Sequence, residues 1–135
     1  MSDIQWDKIG FDAYRTKTLV LARWKDGKWS EIKEDDSFSF TLDPFTCVFH
    51  YAMSCFEGLK AFTQKDGKVV IFRPLENAHR MQRTARFLGL PAPDDDMFVE
   101  MCERCVRANR EFLPPYGHDA SLYLRPLLLG AQPKM

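Results

Sequence analysis

Two runs of strand-forming residues lie on either side of a turn sequence: Leu59-Lys60-Ala61-Phe62-Thr63 and Val69-Val70-Ile71-Phe72 flank Lys65-Asp66-Gly67-Lys68. An Asp-Gly pair between such runs indicates a β-hairpin, because glycine adopts the positive φ that a tight turn needs. The same four turn residues recur at Lys25-Asp26-Gly27-Lys28, again between two runs rich in strand formers. We therefore expect two hairpins in a mainly antiparallel sheet.

Two helices are predicted after the second hairpin. The first begins at Pro74, which suits a helix start because it has no N–H to bond, and it ends at Gly89. The second has Asp94 as its N-cap and ends before Pro114. Apolar residues recur at intervals of three and four in both, as on a buried helix face. These residues are Ala78, Met81, Ala85 and Leu88 in the first helix, and Phe98, Met101, Cys102, Cys105, Ala108 and Phe112 in the second.

Three further segments complete the predicted fold. Residues 38–42 alternate apolar and polar side chains, which predicts a half-buried strand, and the acidic segment Glu34-Asp35-Asp36-Ser37 before them predicts a loop. Residues 121–129 form an apolar extended run that Pro126 interrupts. Together the patterns predict an α+β fold, a mainly antiparallel sheet with two principal helices packed on it.

Length and charge narrow the class of protein. The chain has 135 residues, of which 45% are hydrophobic, and this suits one folded domain. Its 19 basic and 19 acidic side chains balance, whereas proteins that bind nucleic acid or anionic membranes normally carry a basic excess. No apolar run approaches the ~20 residues of a membrane span, and the first residues lack the apolar region of a signal peptide. We therefore expect a cytoplasmic protein that binds neither nucleic acid nor membrane.

Cys102 and Cys105 form a C-x-x-C sequence, a spacing found in zinc sites and redox centres. A zinc site needs further ligands, and the three histidines are scattered along the chain. A thioredoxin-like pair stands at a helix start, whereas this pair falls in mid-helix on the apolar stripe. We favour buried structural thiols and predict no metal, with a metal or redox module at these two cysteines as the weakest alternative.

Two groups of arginines are candidates for binding anions. Arg80, Arg83 and Arg86 lie three residues apart on the first helix. They form either a solvated charge stripe or a site at which one arginine turns inward to hold a phosphate. Arg125 stands in an apolar strand on the same face as Tyr123, and a guanidinium there either reaches solvent or binds an anionic partner. The pattern alone leaves both choices open.

Three stretches resemble motifs of the branched-chain amino acid aminotransferases, in that family's order and at its spacing. The stretch His50-Tyr51-Ala52-Met53-Ser54-Cys55-Phe56-Glu57-Gly58-Leu59-Lys60-Ala61-Phe62 is similar to HYG-x-x-x-FEGLKAF. The stretch Phe72-Arg73-Pro74-Leu75-Glu76-Asn77-Ala78-His79-Arg80-Met81-Gln82-Arg83-Thr84-Ala85 is similar to FRP-x-x-N-x-x-R-M-x-R-S-A. Ser121-Leu122-Tyr123-Leu124-Arg125-Pro126 is similar to SLYxRP. The resemblance extends from about Phe11 to the last residue, and it implies the small domain of a fold-type IV pyridoxal-phosphate enzyme.

The resemblance implies that leucine, isoleucine and valine are transaminated with 2-oxoglutarate on pyridoxal 5'-phosphate. It implies that Arg80 binds the cofactor phosphate and that Arg125 receives the distal carboxylate of glutamate or 2-oxoglutarate. Both guanidinium groups would then face one hollow. The pocket for the substrate would be lined by Phe11, Tyr51, Phe56 and Tyr123, with Tyr51 reaching in from the other subunit of a homodimer. D-amino acids and aminodeoxychorismate, substrates of related enzymes, are disfavoured by the Phe-Glu-Gly and Leu-Tyr-x-Arg-Pro elements.

The lysine that anchors the cofactor in that family has no counterpart here. Pyridoxal chemistry needs a lysine whose pKa is depressed by burial or by neighbouring charge. No lysine of this chain lies in a context that resembles the family's lysine motif, and Lys60 matches a non-catalytic one. We therefore assign no catalytic residue and expect residues 1–135 to be an N-terminal small domain, incomplete at its C-terminal end, without the large domain and inactive alone. The alternative is a non-catalytic small domain that assembles with, or regulates, a partner.

Overall fold

The computed structural model describes residues 4–9 and 14–133, and it has the α+β fold that the sequence predicts. The strands are β1 (Leu19–Leu21), β2 (Trp24–Lys25), β3 (Lys28–Trp29), β4 (Lys33–Asp35), β5 (Ser54–Phe56), β6 (Leu59–Thr63), β7 (Val69–Ile71), β8 (Leu122–Leu124) and β9 (Leu127–Leu129). The helices are α1 (Cys47–Tyr51), α2 (Pro74–Leu88) and α3 (Asp95–Ala108). Single 3₁₀ turns lie at Trp6–Lys8 and Arg110–Phe112.

Both predicted hairpins are confirmed, and their turns differ. In the first, β2 pairs with β3, and both turn residues have positive φ, 51° at Asp26 and 81° at Gly27. In the second, β6 pairs with β7, and the N–H of Gly67 donates to the carbonyl of Gln64 at 2.9 Å. There the positive φ of 81° falls on Gly67, not on the aspartate before it. The same four residues therefore build two different turns, and in both of them the glycine supplies a positive φ.

The strand prediction for residues 38–42 is wrong, and the loop prediction for residues 34–37 is half wrong. Glu34 and Asp35 belong to β4, which pairs with β1. The following chain turns away because Phe38 has a φ of 53°, which is incompatible with an extended run. An alternating pattern forms a strand where a neighbouring strand is available to pair with it, and residues 38–42 pair with none in the described chain.

One antiparallel ladder, with a break at its centre, crosses the middle of the molecule. β5 pairs with β9, which places Phe56 opposite Leu127. β6 pairs with β8, which places Leu59 opposite Leu124. The register is therefore the same on both sides of the break, and the two short sheets are two halves of one longer pairing.

The break is formed by Glu57 and Gly58 on one side and by Arg125 and Pro126 on the other. The N–H of Glu57 donates to the carbonyl of Pro126 at 2.9 Å. Proline has no N–H to return to the ladder, so regular pairing stops here. The predicted strand over residues 121–129 is therefore divided into β8 and β9, at the proline that the sequence marks.

The core lies between one face of this ladder and the two long helices. In α2, the predicted residues Ala78, Met81 and Ala85 are buried. In α3, Phe98 and Cys102 are buried as predicted, and Val106 is buried as well. The complete core cluster is Cys55, Leu59, Ala61, Ala78, Met81, Phe98, Cys102, Val106, Leu122 and Leu124.

The ends of both helices follow the predicted capping residues, with one correction. Gly89 ends α2 with a φ of 71°. Asp94 caps α3 by accepting a hydrogen bond from the N–H of Met97 at 2.8 Å. However, α3 ends at Ala108 and does not reach Phe112, which lies in the following 3₁₀ turn.

Asn109 ends α3 and ties it to the chain before β1. Its side chain is almost fully buried, with 1% of the residue exposed. Its Oδ1 accepts from the N–H groups of Lys17 and Thr18 at 3.0 and 2.9 Å. Its Nδ2 donates to the carbonyls of Thr18 and Cys105 at 2.8 and 2.9 Å. One amide thus satisfies four backbone groups from two segments that are far apart in the sequence.

The short helix α1 is not predicted by the sequence pattern. Its first two N–H groups, those of Cys47 and Val48, donate to the carbonyls of Gln132 and Gly130, both at 3.2 Å. The chain after β9 therefore takes the place of a capping side chain. Because that partner segment lies more than 80 residues away along the chain, no local pattern indicates this helix.

Candidate functional site

Arg80 is held by a buried carboxylate, that of Glu57. Cys55 and Leu59 face the core, and the side chain of Glu57 lies on the same side, where it is 2% exposed. The Nε of Arg80 donates to Oε1 of Glu57 at 2.7 Å, and Nη2 donates to Oε2 at 2.5 Å. The side chain of Arg80 is itself 60% exposed. The anion that Arg80 holds in this structure is the carboxylate of Glu57, and its predicted role in binding a phosphate stays a prediction.

Asn77, one turn before Arg80 on α2, also holds this carboxylate. Its Nδ2 donates to Oε2 of Glu57 at 2.8 Å and to the carbonyl of Gly58 at 3.3 Å. Burial opposes the ionisation of Glu57, but hydrogen bonds from Arg80 and Asn77, together with the charge of Arg80, outweigh it. The pKa of Glu57 is therefore below its ordinary value. Glu57 is an ionised, buried anchor between the ladder and α2.

Replacing Glu57 with glutamine is expected to lower the free energy of unfolding by about 2 kcal/mol near pH 7, because a buried, charge-assisted set of hydrogen bonds is lost. The pKa of a glutamate in the unfolded chain is about 4.3. Since the folded value is lower, the stabilisation is complete above that pH and is lost as the pH falls through the folded pKa. The difference between wild type and Glu57→Gln, measured by urea unfolding, should therefore shrink between pH 7 and pH 3.

The control for this experiment is Glu76→Gln. Glu76, on α2, likewise pairs with an arginine, Arg73, at 3.0 Å, but both side chains are more than 60% exposed. An exposed pair contributes little to stability. A Glu57→Gln difference that is the same at pH 7 and pH 3 would contradict the role assigned to the carboxylate.

Arg125 lies against two aromatic rings on the opposite, exposed side of the ladder. Its guanidinium carbon is 4.3 Å from the centre of the Phe56 ring and 5.1 Å from that of Tyr123. Its Nη2 and Nε donate to the hydroxyl of Tyr123 at 2.9 and 3.2 Å. Flanking rings and a hydroxyl fix the direction of the guanidinium while the residue stays exposed. Three of the predicted substrate residues are thus brought together.

Gly58 makes this arrangement possible because it lets the ring of Tyr123 approach the backbone. A Cβ atom at this position would lie 2.3 Å from the hydroxyl oxygen of Tyr123. Glycine allows other groups to approach the backbone closely because it has no Cβ atom. In the structure the group that approaches is the phenol of Tyr123, so Gly58 acts on Arg125 through that side chain.

The remaining predicted site residues lie apart from this cluster or outside the described chain. Tyr51 is on α1, with its ring 6.4 Å from that of His50, and it is 56% exposed. Phe11 lies outside the described residues. That Arg80 and Arg125 face one hollow stays a prediction; the residues that hold them, Glu57 and Phe56, are adjacent in the sequence and point to opposite faces of the ladder.

Sequence reasoning missed Glu57 and Asn77 as site residues. A signal for Glu57 was nevertheless present in the alternation of Cys55, Glu57, Leu59 and Ala61, which puts a carboxylate in a row of buried positions. A buried carboxylate needs a partner, and a nearby helix rich in arginine can supply one. No comparable signal marks Asn77.

The C-x-x-C sequence has the properties of buried thiols. Cys102 is 5% exposed, and burial raises its pKa to about 12, with smaller contributions from Cys105 and Glu103. Burial also raises the pKa of Cys105, although a hydrogen bond from Asn109 opposes this. A reactive cysteine needs a lowered pKa and access to solvent, so the redox alternative loses its support.

Three properties of the described residues, 4–9 and 14–133, bear on other kinds of site. Within them, no group of three or more His, Cys, Asp or Glu side chains is placed to hold a metal ion. Within the same ranges, no helix has the length and apolar character needed to cross a bilayer. The eight lysines in these ranges, Lys8, Lys17, Lys25, Lys28, Lys33, Lys60, Lys65 and Lys68, are all exposed.

Solved structures with a similar fold define the class of protein. A branched-chain aminotransferase from Thermoproteus uzoniensis, crystallised with norvaline, matches 87% of this chain and 35% of its own, with a TM-score of 0.57 and 22% identity. A second branched-chain amino acid aminotransferase, solved in complex with N-(5'-phosphopyridoxyl)-L-glutamate, matches the same shares with a TM-score of 0.56 and 25% identity. The fold is that of the small domain of a fold-type IV aminotransferase.

Sequence comparison gives the family. The chain is 45% identical over 130 residues to the branched-chain-amino-acid aminotransferase of Haemophilus influenzae, a match that covers 96% of this chain and 38% of that protein. No family model matches the chain. The chain belongs to the branched-chain-amino-acid aminotransferase family, and it spans a little over a third of the length of the first curated relatives it matches.

Proposed function

We propose that this chain is the N-terminal small-domain part of an enzyme that transfers the amino group of leucine, isoleucine or valine to 2-oxoglutarate on pyridoxal 5'-phosphate. The observation that carries the proposal is the placement of two arginines. Arg80 is held by Glu57, Arg125 lies against the adjacent residue Phe56, and both arginines remain exposed. Two oriented, accessible guanidinium groups suit a reaction with a phosphorylated cofactor and an acidic co-substrate.

Arg80 is the residue that would hold the cofactor phosphate. Glu57 occupies its Nε and one N–H of Nη2, which leaves one N–H of Nη1 and the second N–H of Nη2 side by side on the outer edge of this exposed guanidinium. That donor set fits a phosphate, which arginine binds bidentately. When bound, pyridoxal 5'-phosphate supplies the electron sink for chemistry at the amino carbon. One of the solved relatives is described with a phosphopyridoxyl group joined to glutamate, which supports this cofactor.

The cluster on the exposed side of the ladder would select the substrate. Phe56 and the ring of Tyr123 offer apolar surface for a branched aliphatic side chain. Arg125 offers a charge for the distal carboxylate of glutamate or 2-oxoglutarate, so one pocket accepts both substrate types. Phe11 and Tyr51 would complete this pocket, with Tyr51 contributed by the second subunit of a homodimer. Its exposure on α1 supports that role.

The chain alone is proposed to be inactive, since its described lysines suit no anchoring role. Every one of them is exposed, whereas a lysine that reacts with the cofactor must be deprotonated, usually through desolvation or a neighbouring cation. We place the catalytic lysine in a large domain outside residues 1–135. A cytoplasmic location belongs to the same proposal. It is supported by the free thiols of Cys55, Cys102 and Cys105, which suit a reducing compartment.

A chimera tests this function. Residues 4–133 replace the matching third of the Haemophilus influenzae relative, and transamination of leucine with 2-oxoglutarate is assayed with pyridoxal 5'-phosphate. We expect turnover by the chimera and none by the isolated chain. In the chimera, Arg125→Gln should lower kcat/KM for 2-oxoglutarate about 10- to 100-fold, with a smaller effect for leucine, because a charge-assisted contact is lost.

Two results would contradict the proposal. The first is sustained turnover by the isolated chain that disappears when one lysine is changed, which would place the catalytic lysine here. The second is a folded chimera that assembles as a dimer but does not transaminate, which would favour a non-catalytic assembly role.

A further inference from the structure

The contacts of Arg80 leave one edge of its guanidinium available. A guanidinium carries five N–H donors in a rigid plane. Glu57 takes the edge formed by Nε and Nη2. One N–H of Nη1 and the second N–H of Nη2 form the outer edge, and the other N–H of Nη1 points back toward Cδ. Since Glu57 is 2% exposed and Arg80 is 60% exposed, the inner edge is fixed in the protein and the outer edge faces solvent.

The carboxylate that holds Arg80 is itself held from two directions. Asn77 on α2 donates to its Oε2 at 2.8 Å, and the backbone of Glu57 is fixed by its hydrogen bond to Pro126 at 2.9 Å. The Arg73–Glu76 pair on the same helix differs, because both of its side chains are exposed and free to change rotamer. Because a rigid carboxylate is bonded to the inner edge of the Arg80 guanidinium, it restricts the direction in which the outer edge can point.

We propose that Glu57 is a positioning residue, which fixes Arg80 so that its outer edge is presented to the phosphate of the cofactor. This inference rests on the proposed function, in which Arg80 binds that phosphate. An unrestrained arginine loses considerable side-chain freedom on binding a ligand, and a pre-oriented one loses less. Glu57 has already ordered the side chain before the anion arrives.

The charge of Glu57 has the opposite effect, and this makes the inference testable. A carboxylate next to the guanidinium weakens the attraction of the site for any anion. If charge dominates, replacing Glu57 with glutamine tightens phosphate binding. If positioning dominates, the same replacement weakens it, although a negative charge has been removed. The two explanations therefore predict opposite signs for the change in phosphate affinity that Glu57→Gln causes.

The experiment uses the full 135-residue chain and pyridoxamine 5'-phosphate, which carries the phosphate but has no aldehyde to react with lysines. Binding is followed by NMR through the Nε–H signal of Arg80, with pyridoxamine as the probe without phosphate. For Glu57→Gln we expect roughly 2- to 10-fold weaker binding than for wild type. The Nε–H signal of the free variant should also exchange faster with solvent. Glu76→Gln, the matched loss of an arginine-paired carboxylate on α2, should leave both measurements unchanged.

Asn77→Ala provides a second variant in case Glu57→Gln does not fold. It keeps the charge of Glu57 and removes one of the hydrogen bonds that hold its carboxylate. Binding of pyridoxamine 5'-phosphate should therefore weaken by a smaller factor than in Glu57→Gln. If a folded Glu57→Gln variant binds pyridoxamine 5'-phosphate as tightly as wild type or more tightly, the inference is overturned. The proposed function still stands in that case, provided that the Nε–H signal of Arg80 responds to the ligand in both proteins. If the Arg80 signal of the wild-type chain does not respond to the phosphate at all, the role of Arg80 in the proposed function fails, and the inference fails with it.

Discussion

Replacing Asn109 with alanine is expected to lower the free energy of unfolding by about 3 to 5 kcal/mol, measured by urea unfolding at neutral pH. The substitution leaves the N–H and carbonyl of the buried residue Thr18 without partners, together with the N–H of Lys17. Each buried backbone group left unsatisfied costs about 1 to 3 kcal/mol. A domain of this size has a total stability of about 5 to 15 kcal/mol, so the variant should be only marginally folded.

The control is Gln82→Ala, which removes a helix amide of similar chemistry. Gln82 donates to the carbonyl of Pro93 and to a carboxylate oxygen of Asp95 at 3.2 and 2.8 Å. Asp95 is partly exposed, so water can replace the lost contact there, and we expect a loss of about 1 kcal/mol at most. If Asn109→Ala and Gln82→Ala lower the free energy of unfolding by the same amount within error, water also satisfies the backbone groups that Asn109 binds.

The second large effect is expected at Gly58, and it concerns the site more than stability. An alanine Cβ would lie 2.3 Å from the Tyr123 hydroxyl, so this half-exposed ring must swing away. Arg125 then loses both hydrogen bonds to that hydroxyl. In the active chimera we expect Gly58→Ala to lower kcat/KM for 2-oxoglutarate about 10- to 100-fold. The free energy of unfolding should fall by about 1 kcal/mol at most, because a flexible side chain can yield.

A double-mutant cycle with Tyr123→Phe checks this explanation. If Gly58→Ala acts through the tyrosine hydroxyl, then adding it to Tyr123→Phe should change kcat/KM for 2-oxoglutarate very little. Independent, multiplicative losses would mean that the glycine serves the site in another way. An equal loss for leucine and 2-oxoglutarate would likewise separate Gly58 from the recognition of the acidic substrate.

Local patterns predicted the elements whose causes are local. The two Asp-Gly turns, the proline that begins α2, and the aspartate that caps α3 each act within a few residues of the structure they specify. Two of the errors have causes that are not local. α1 begins where the chain after β9 satisfies its first N–H groups, and residues 38–42 alternate in hydrophobicity without any strand in the described chain to pair with.

The distinction between local and distant causes also applies to the site. The grouping of Tyr123 with Arg125 follows from their spacing of two on one strand, and the sequence predicts it. Glu57 and Arg80 are 23 residues apart on different elements, so their contact depends on how α2 crosses the ladder. Family motifs marked the arginine without identifying the carboxylate that holds it. A buried position occupied by an acid was the available clue.

The unbroken register of the central ladder limits how the length of this chain can vary. Phe56 and Glu57 are adjacent but point to opposite faces, one under Arg125 and the other against Arg80. A deletion or insertion of one residue between Ser54 and Gly58 would exchange those faces. One such change would therefore remove both the contact of Arg80 with Glu57 and the contact of Arg125 with Phe56. Engineering of this segment should therefore proceed by substitution at constant length, whereas the turn at residues 64–67, which lies outside this ladder, can accept added residues.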